Sequence, residues 1–192
     1  MEKLVVIDAC VREKDSRTWR IASPIVEELS KRYETALFHL PRMKMEPLDP
    51  ESYKERTEGK HPSWAEEAAR EIASCDRMVI ASPFWDMSIP ALLKTFIERT
   101  SLFGITFDSN DSTCLGLCRC KKVLFITTRG MNIHDGDPLD CGLPYIRAIS
   151  SLWGLGEVEC ISECNMDYVS EQEIERKIED AVSRGLKLAK EF

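Results

Sequence analysis

Apolar residues along this chain fall into two alternating rhythms. Short runs at 4–7, 35–40, 76–82, 123–128 and 158–162 are too brief for helices, and several are rich in β-branched residues. They predict buried strands. Between them apolar positions recur every three or four residues. Ile21, Ile25, Val26 and Leu29 mark one helix; Leu92, Leu93, Phe96 and Ile97 mark another. Tyr145, Ile146, Ile149, Leu152 and Trp153 give a third, and Ile174, Ile178, Ala181, Val182, Leu186 and Ala189 a terminal one. Ser63 and Glu66 have capping-box spacing and predict a helix over 63–74; Ser170 and Glu173 repeat that spacing before the terminal helix. Residues 41–62 carry Pro41, Pro47, Pro50 and Pro62 and predict a long connection, and 104–121 predict irregular structure.

Five strands alternating with about five helices predict a parallel sheet covered on both faces, a three-layer α/β sandwich forming one domain over 1–192. Right-handed crossovers favour the strand order 2-1-3-4-5. In such a sheet ligands sit beyond the carboxyl ends of the strands. Three loops lie there: 8–18, 83–89 and 128–140.

The net charge of −7 argues against a general nucleic-acid binder, which needs clustered Lys and Arg. No apolar run reaches the roughly 20 residues of a membrane span. The apolar run near Met1 is short and ends at Asp8, unlike a signal peptide, so the expectation is a cytoplasmic protein. In a reducing compartment the eight cysteines are expected as thiols.

Each loop offers different chemistry. Ser16, Arg17 and Thr18 precede a helix, where hydroxyls, N–H groups and a positive charge suit a phosphate; Ser16 as a simple helix cap is the competing reading. Pro83, Phe84, Trp85, Asp86 and Met87 place two aromatics and a thioether at a strand end. They suit stacking on a planar ring, or packing on the core or on a second subunit. Thr128, Arg129, Gly130 and Met131 offer a hydroxyl and a glycine for close backbone approach. No dinucleotide glycine fingerprint, phosphate-binding Gly-Lys-Ser/Thr loop or Gly-x-Ser-x-Gly nucleophile elbow is present.

Taken together, 81–94 (ASPFWDMSIPALLK), Gly104-Ile105-Thr106-Phe107, 126–130 (ITTRG) and the stretch from Tyr145 to Gly156 resemble the FMN-dependent NADH:azoreductase and NAD(P)H:quinone oxidoreductase family, of flavodoxin-like fold. The resemblance spans nearly the whole chain. It implies an FMN phosphate site at Ser16, Arg17 and Thr18, with Cys10 where a serine is common. It implies a flavin-ring loop at Phe84, Trp85, Asp86 and Met87, and a pyrimidine-edge loop at Thr128, Arg129, Gly130 and Met131. His134 matches a loop histidine of the family, as a candidate for orienting a substrate oxygen or as a surface residue. The implied activity is ping-pong transfer of electrons from NADH or NADPH to a quinone, azo or nitroaromatic compound, in a homodimer with the site at the interface. Met131 replaces a glycine of the family pattern, and Asp86 replaces an amide-bearing Asn. A carboxylate there disfavours the anionic reduced flavin and implies a lowered reduction potential.

Two other functions remain open on sequence grounds. One is a flavodoxin-like electron-transfer flavoprotein; the other is a cofactor-free binding module. Cys114, Cys118 and Cys120 lack a common zinc or cluster spacing, leaving packing thiols, a cysteine-ligated metal or iron–sulfur centre, and redox-active thiols as readings.

Overall fold

The computed structural model describes residues 1–192. Its centre is a parallel sheet of β1 (Lys3–Asp8), β2 (Glu34–His39), β3 (Arg77–Ala81), β6 (Lys122–Thr128) and β7 (Glu157–Glu163) in the order β2-β1-β3-β6-β7. That is the expected 2-1-3-4-5 order, with two additional short strands falling between its third and fourth members. Strand β1 lies between two neighbours, and Leu4, Val5, Val6 and Ile7 are all fully buried. A run without polar alternation is what covering both faces requires.

Side chains along β1 divide between two cores. Leu4 and Val6 pack with Ile21, Ile25 and Leu29 of α1 (Arg17–Ser30) and Ile174, Ile178 and Ala181 of α6 (Glu171–Ala189). Val5 and Ile7 face the opposite layer, built by α3 (Ser63–Ser74), α4 (Ala91–Thr100) and α5 (Gly142–Trp153), where Ile72, Phe96 and Trp153 supply the bulk. Helices α1 and α6 approach so closely that a Cβ on Gly185 would lie 2.1 Å from the Ile25 side chain. No helix is long and apolar enough to cross a membrane.

Three segments differ from the sequence expectations. The 41–62 connection contains α2 (Pro50–Thr57), capped by a reciprocal Asp49–Ser52 box. It buries no residue, so hydrophobic periodicity cannot reveal it. Helix α3 does not use a Ser63–Glu66 box: Pro62 is the cap residue, its carbonyl accepts from Ala65 and Glu66, and Glu66 pairs with Arg70. The 104–121 stretch holds an antiparallel hairpin of β4 (Phe107–Ser109) and β5 (Cys114–Gly116). Its turn is organised by Asn110, whose side-chain oxygen accepts from the N–H groups of Ser112 and Thr113, each at 3.0 Å. The hairpin seats on the end of α5, where Gly154 takes the left-handed conformation and a Cβ on Gly116 would lie 2.1 Å from its nitrogen.

Candidate functional site

The parallel strands all point their carboxyl ends to one side, and the loops that leave them enclose a cleft. It has a volume of about 180 Å³ and is floored by Ser16, Arg17, Thr18, Phe84, Trp85 and Thr128, among others. A second hollow of about 220 Å³ adjoins it through shared walls at Phe84, Trp85, Gly130 and Asp167, and extends outward to Asp86, Met87 and Met131. The three loops singled out from sequence therefore meet in one place.

Loop 8–18 is fixed from beneath. Asp8, 1% exposed, accepts from the Cys10 N–H at 2.9 Å and pairs with His39 Nδ1 at 2.6 Å, tying the end of β1 to the end of β2. Ser16 caps α1: its hydroxyl accepts from Trp19 N–H (3.3 Å), and its carbonyl accepts from Arg20 N–H (2.9 Å). First-turn N–H groups have no carbonyl within the helix. Those of Arg17 and Thr18, both cleft residues, are left for a ligand. Ser16 thus serves as a cap while still lining the cleft. Thr18 Oγ1 and Thr128 Oγ1 share a buried hydrogen bond of 2.7 Å, which locks the first loop to the fourth.

The aromatic loop is a strained turn. Trp85 and Ser88 exchange backbone hydrogen bonds of 2.9 Å, and both residues between them have positive φ, Asp86 at 47° and Met87 at 68°. Two consecutive left-handed residues make a type I′ turn, which favours Asn-Gly and is costly for Met. Strain of this kind concentrates at functional sites. Phe84 N–H donates to Thr128 C=O (3.2 Å), joining this loop to the next. The Phe84 ring lies under the Arg129 guanidinium, 5.4 Å from its centroid, whereas Trp85 is 44% exposed.

Arg129 points inward. It is fully buried and donates to Asp135 Oδ1 (2.7 Å) and Asp140 Oδ2 (2.9 Å). Asp140 in turn accepts from Gly142 and Leu143 N–H at the start of α5 (3.0 and 3.2 Å). The guanidinium therefore shapes the loop from behind and offers the cleft its backbone neighbourhood, not its charge.

Like Arg129, two further sequence candidates, Cys10 and His134, stand outside the cleft lining. Cys10 is fully buried, its thiol against the Ala81 carbonyl at 3.8 Å, and burial pushes that thiol far above its ordinary range. His134 lies beside Cys164, with Sγ 3.5 Å from Nδ1. The cysteines expected as a group separate: Cys114 is exposed on β5, while Cys118 and Cys120 are buried in the core that also holds Cys75. No grouping of three or more His, Cys, Asp or Glu side chains has the arrangement of a metal site.

Sequence reasoning missed Val11, Arg12, Met166 and Asp167, which also line the cleft. Asp167 is the consequential one. Its carboxylate holds Arg17 at 2.6 Å and lies so near Gly130 that a Cβ there would be 1.9 Å from Oδ2. The 165–167 segment runs along the fourth loop, with Asn165, Met166 and Asp167 N–H donating to Met131, Arg129 and Gly130 carbonyls. The carboxyl-end rule, applied to β7 as well, would have pointed to it.

Comparison with known proteins places this geometry. A family model described as flavodoxin-like fold matches residues 2–186. An FMN-dependent NADH:quinone oxidoreductase of Clostridium perfringens is 30% identical over 200 residues, covering all of both chains. Among solved structures, an azoreductase from Bacillus anthracis superposes with a TM-score of 0.85 at 16% identity over the full length of both chains. An FMN-dependent NADH-azoreductase from Bacillus anthracis, solved in complex with FMN, gives 0.79 at 16% identity, covering 98% of this chain and 100% of that one.

Proposed function

This chain belongs to the flavodoxin-like fold family and is an oxidoreductase, and from that premise we propose that it binds FMN and passes electrons from NADH or NADPH to quinones or azo compounds. The observation that carries this reading is the meeting of a helix N-terminus with Arg17, an aromatic pair and a close-approach glycine in one cleft. That donor set suits FMN part by part. The free N–H groups of Arg17 and Thr18, the Ser16 hydroxyl and the Arg17 guanidinium suit a phosphate dianion. Phe84, Trp85 and Met87 suit the faces and edge of an apolar ring system. The backbone around Asp86 and Gly130 suits its polar rim.

FMN, when bound, supplies hydride acceptance from the nicotinamide and two-electron delivery to the acceptor. The chain's own residues bind and orient. The Thr18–Thr128 and Phe84–Thr128 bonds hold the three loops at fixed separation, so ring and phosphate sites keep their spacing without reorganisation. Half-exposed Trp85 and Met131 leave one side of the cleft open to a second planar molecule. A donor and an acceptor that both stack on that side use it in turn, as a ping-pong cycle requires. Exposed Trp85 and Met131 at this mouth, with exposed Tyr168 next to Asp167 in the chain, support a homodimer whose second subunit borders the mouth. His134 lies against Cys164 and is not among the residues that line the cleft, so this reading asks of it no contact with the flavin.

The test is the visible spectrum. Purified protein, or protein given FMN, should show a bound flavin band that NADH bleaches without oxygen and a quinone restores. Protein that stays colourless and does not retain added FMN overturns the reading. An electron carrier would keep the flavin but barely turn over NADH with a quinone.

A further inference from the structure

We propose that Cys164, activated by His134, is a covalent capture site for electrophilic quinones at the rim of the cleft. The proposal rests on the quinone reading above for the supply of the electrophile. Cys164 is the first residue past β7. Its Sγ lies 3.5 Å from His134 Nδ1, 3.8 Å from Nε2, and 3.6 Å from Asn132 Oδ1. A thiol beside an imidazole is a nucleophile–base unit, because the reactive species is the thiolate and the ring accepts its proton. The Lys177 ammonium, 3.2 Å from the Cys164 carbonyl, adds positive charge nearby, while Glu163 partly offsets it.

Position makes the pair relevant. The next residue, Asn165, has a φ of 57° and donates its N–H to the Met131 carbonyl at 2.8 Å. Met131 walls the outer hollow, and Met166 and Asp167 wall the inner one. Cys164 is therefore one residue from the backbone contact with Met131 and two from the wall of the inner hollow.

The other cysteines lack this combination. Cys114 and Cys141 are exposed, but no side chain hydrogen-bonds to either sulfur. Cys10, Cys75, Cys118 and Cys120 are buried. Cys160 is half-buried, and burial pushes its thiol up to about 12.

The step is a conjugate addition and balances without any further reagent. Sγ forms a C–S bond to the ring carbon β to a quinone carbonyl, and the sulfur lone pair supplies both electrons. The S–H proton passes through His134 to the carbonyl oxygen. The hydrogen on the attacked carbon then moves to the second oxygen as the ring becomes aromatic, leaving a thioether-linked hydroquinone. Reduction of free quinone by the enzyme's own activity removes the electrophile, so a supply of NADH protects the thiol.

The experiment treats the full-length protein, with FMN and without NADH, with limiting 1,4-benzoquinone and maps the adduct by peptide mass spectrometry. Cys164 should be modified at least about tenfold faster than Cys114 or Cys141, a modest share of what a positioned base supplies. His134→Ala should slow Cys164 by about tenfold or more and leave the other two unchanged. In Cys164→Ala the fast adduct should vanish. Equal rates at Cys114 or Cys141, or an unchanged Cys164 rate in His134→Ala, overturn the proposal. A parallel assay follows quinone-dependent NADH oxidation. Turnover without fast Cys164 modification sinks the capture site alone; fast modification without turnover or NADH protection sinks the reductase reading alone.

Discussion

Replacing Asp167 by Asn should tighten FMN binding by about ten- to thirtyfold at low salt. In the structure its carboxylate occupies Arg17, at 2.6 Å, the same guanidinium that a phosphate on the α1 N-terminus would use. Two anions sharing one guanidinium lie about 5 Å apart. At a water-like dielectric each unit pair then costs about 0.8 kcal/mol. A phosphate of charge about −1.5 to −2 raises that to roughly 1.2–1.7 kcal/mol. The Arg17–Asp167 pair, with side chains 26% and 61% exposed, is worth at most about 1 kcal/mol, and the phosphate must displace part of it. Asn removes both costs, about 1.4–2 kcal/mol together.

Flavin fluorescence quenching gives the Kd directly, and two controls make the cause visible. In 0.5 M salt, where the screening length falls to about 4 Å, most of the gain should disappear. Riboflavin, which has no phosphate, should bind the variant and the parent alike. An unchanged or weaker FMN Kd in Asp167→Asn at low salt would refute the competition. A gain shared equally by riboflavin would place the effect at the ring and not at the phosphate.

Three further changes probe the scaffold. Asp86→Asn removes a negative charge beside the ring site and should raise the two-electron potential of bound FMN by about 15–30 mV, measured by dye-equilibrated reduction; a fall would contradict the electrostatic argument. Met87→Gly relieves a left-handed residue in the Trp85–Ser88 turn and, after the entropy cost of glycine, should add about 0.5–1 kcal/mol, visible as a Tm about 1–3 °C higher. Asp8→Ala strands the Cys10 N–H and the His39 ring, both now bonded to the buried carboxylate. It should lose about 2–4 kcal/mol, lowering the urea midpoint by about 1–2 M.

The centre of the sheet was legible because β1, β3 and β6 are buried almost throughout. Leu4, Val5, Val6 and Ile7 are buried on both faces, and a doubly covered strand leaves no polar position to confuse the pattern. Helix α2 was not legible for the opposite reason: with no buried residue, its only trace is the Asp49–Ser52 box and Pro50 at its start. The β4–β5 hairpin is held by Asn110 and by the Gly116–Gly154 contact. Neither leaves an alternating apolar pattern, since every residue of β5 is exposed.

The site divides along the same line. Residues that act through the backbone or through local capping, such as Ser16, Arg17 and Gly130, could be found from position in the βα order. Side-chain direction could not. Arg129 reads as a cation near an anion site, yet Asp135 and Asp140 draw it inward, because a guanidinium at a fully buried position must be paired. Asp167 and Cys164 escaped for a different reason. They follow the strand at the edge of the sheet, whereas attention to ligand loops centres on the strands flanking the switch point. In this chain the edge strand β7 pairs with β6 through Thr128–Glu163, so its exit loop is carried onto the same side as the fourth loop and hydrogen-bonds along it. A parallel sheet delivers every exit loop to one side, and the edge strand's loop is the least constrained by neighbours. It is therefore where Asp167, paired with Arg17, and Cys164, beside His134, can sit without disturbing the core.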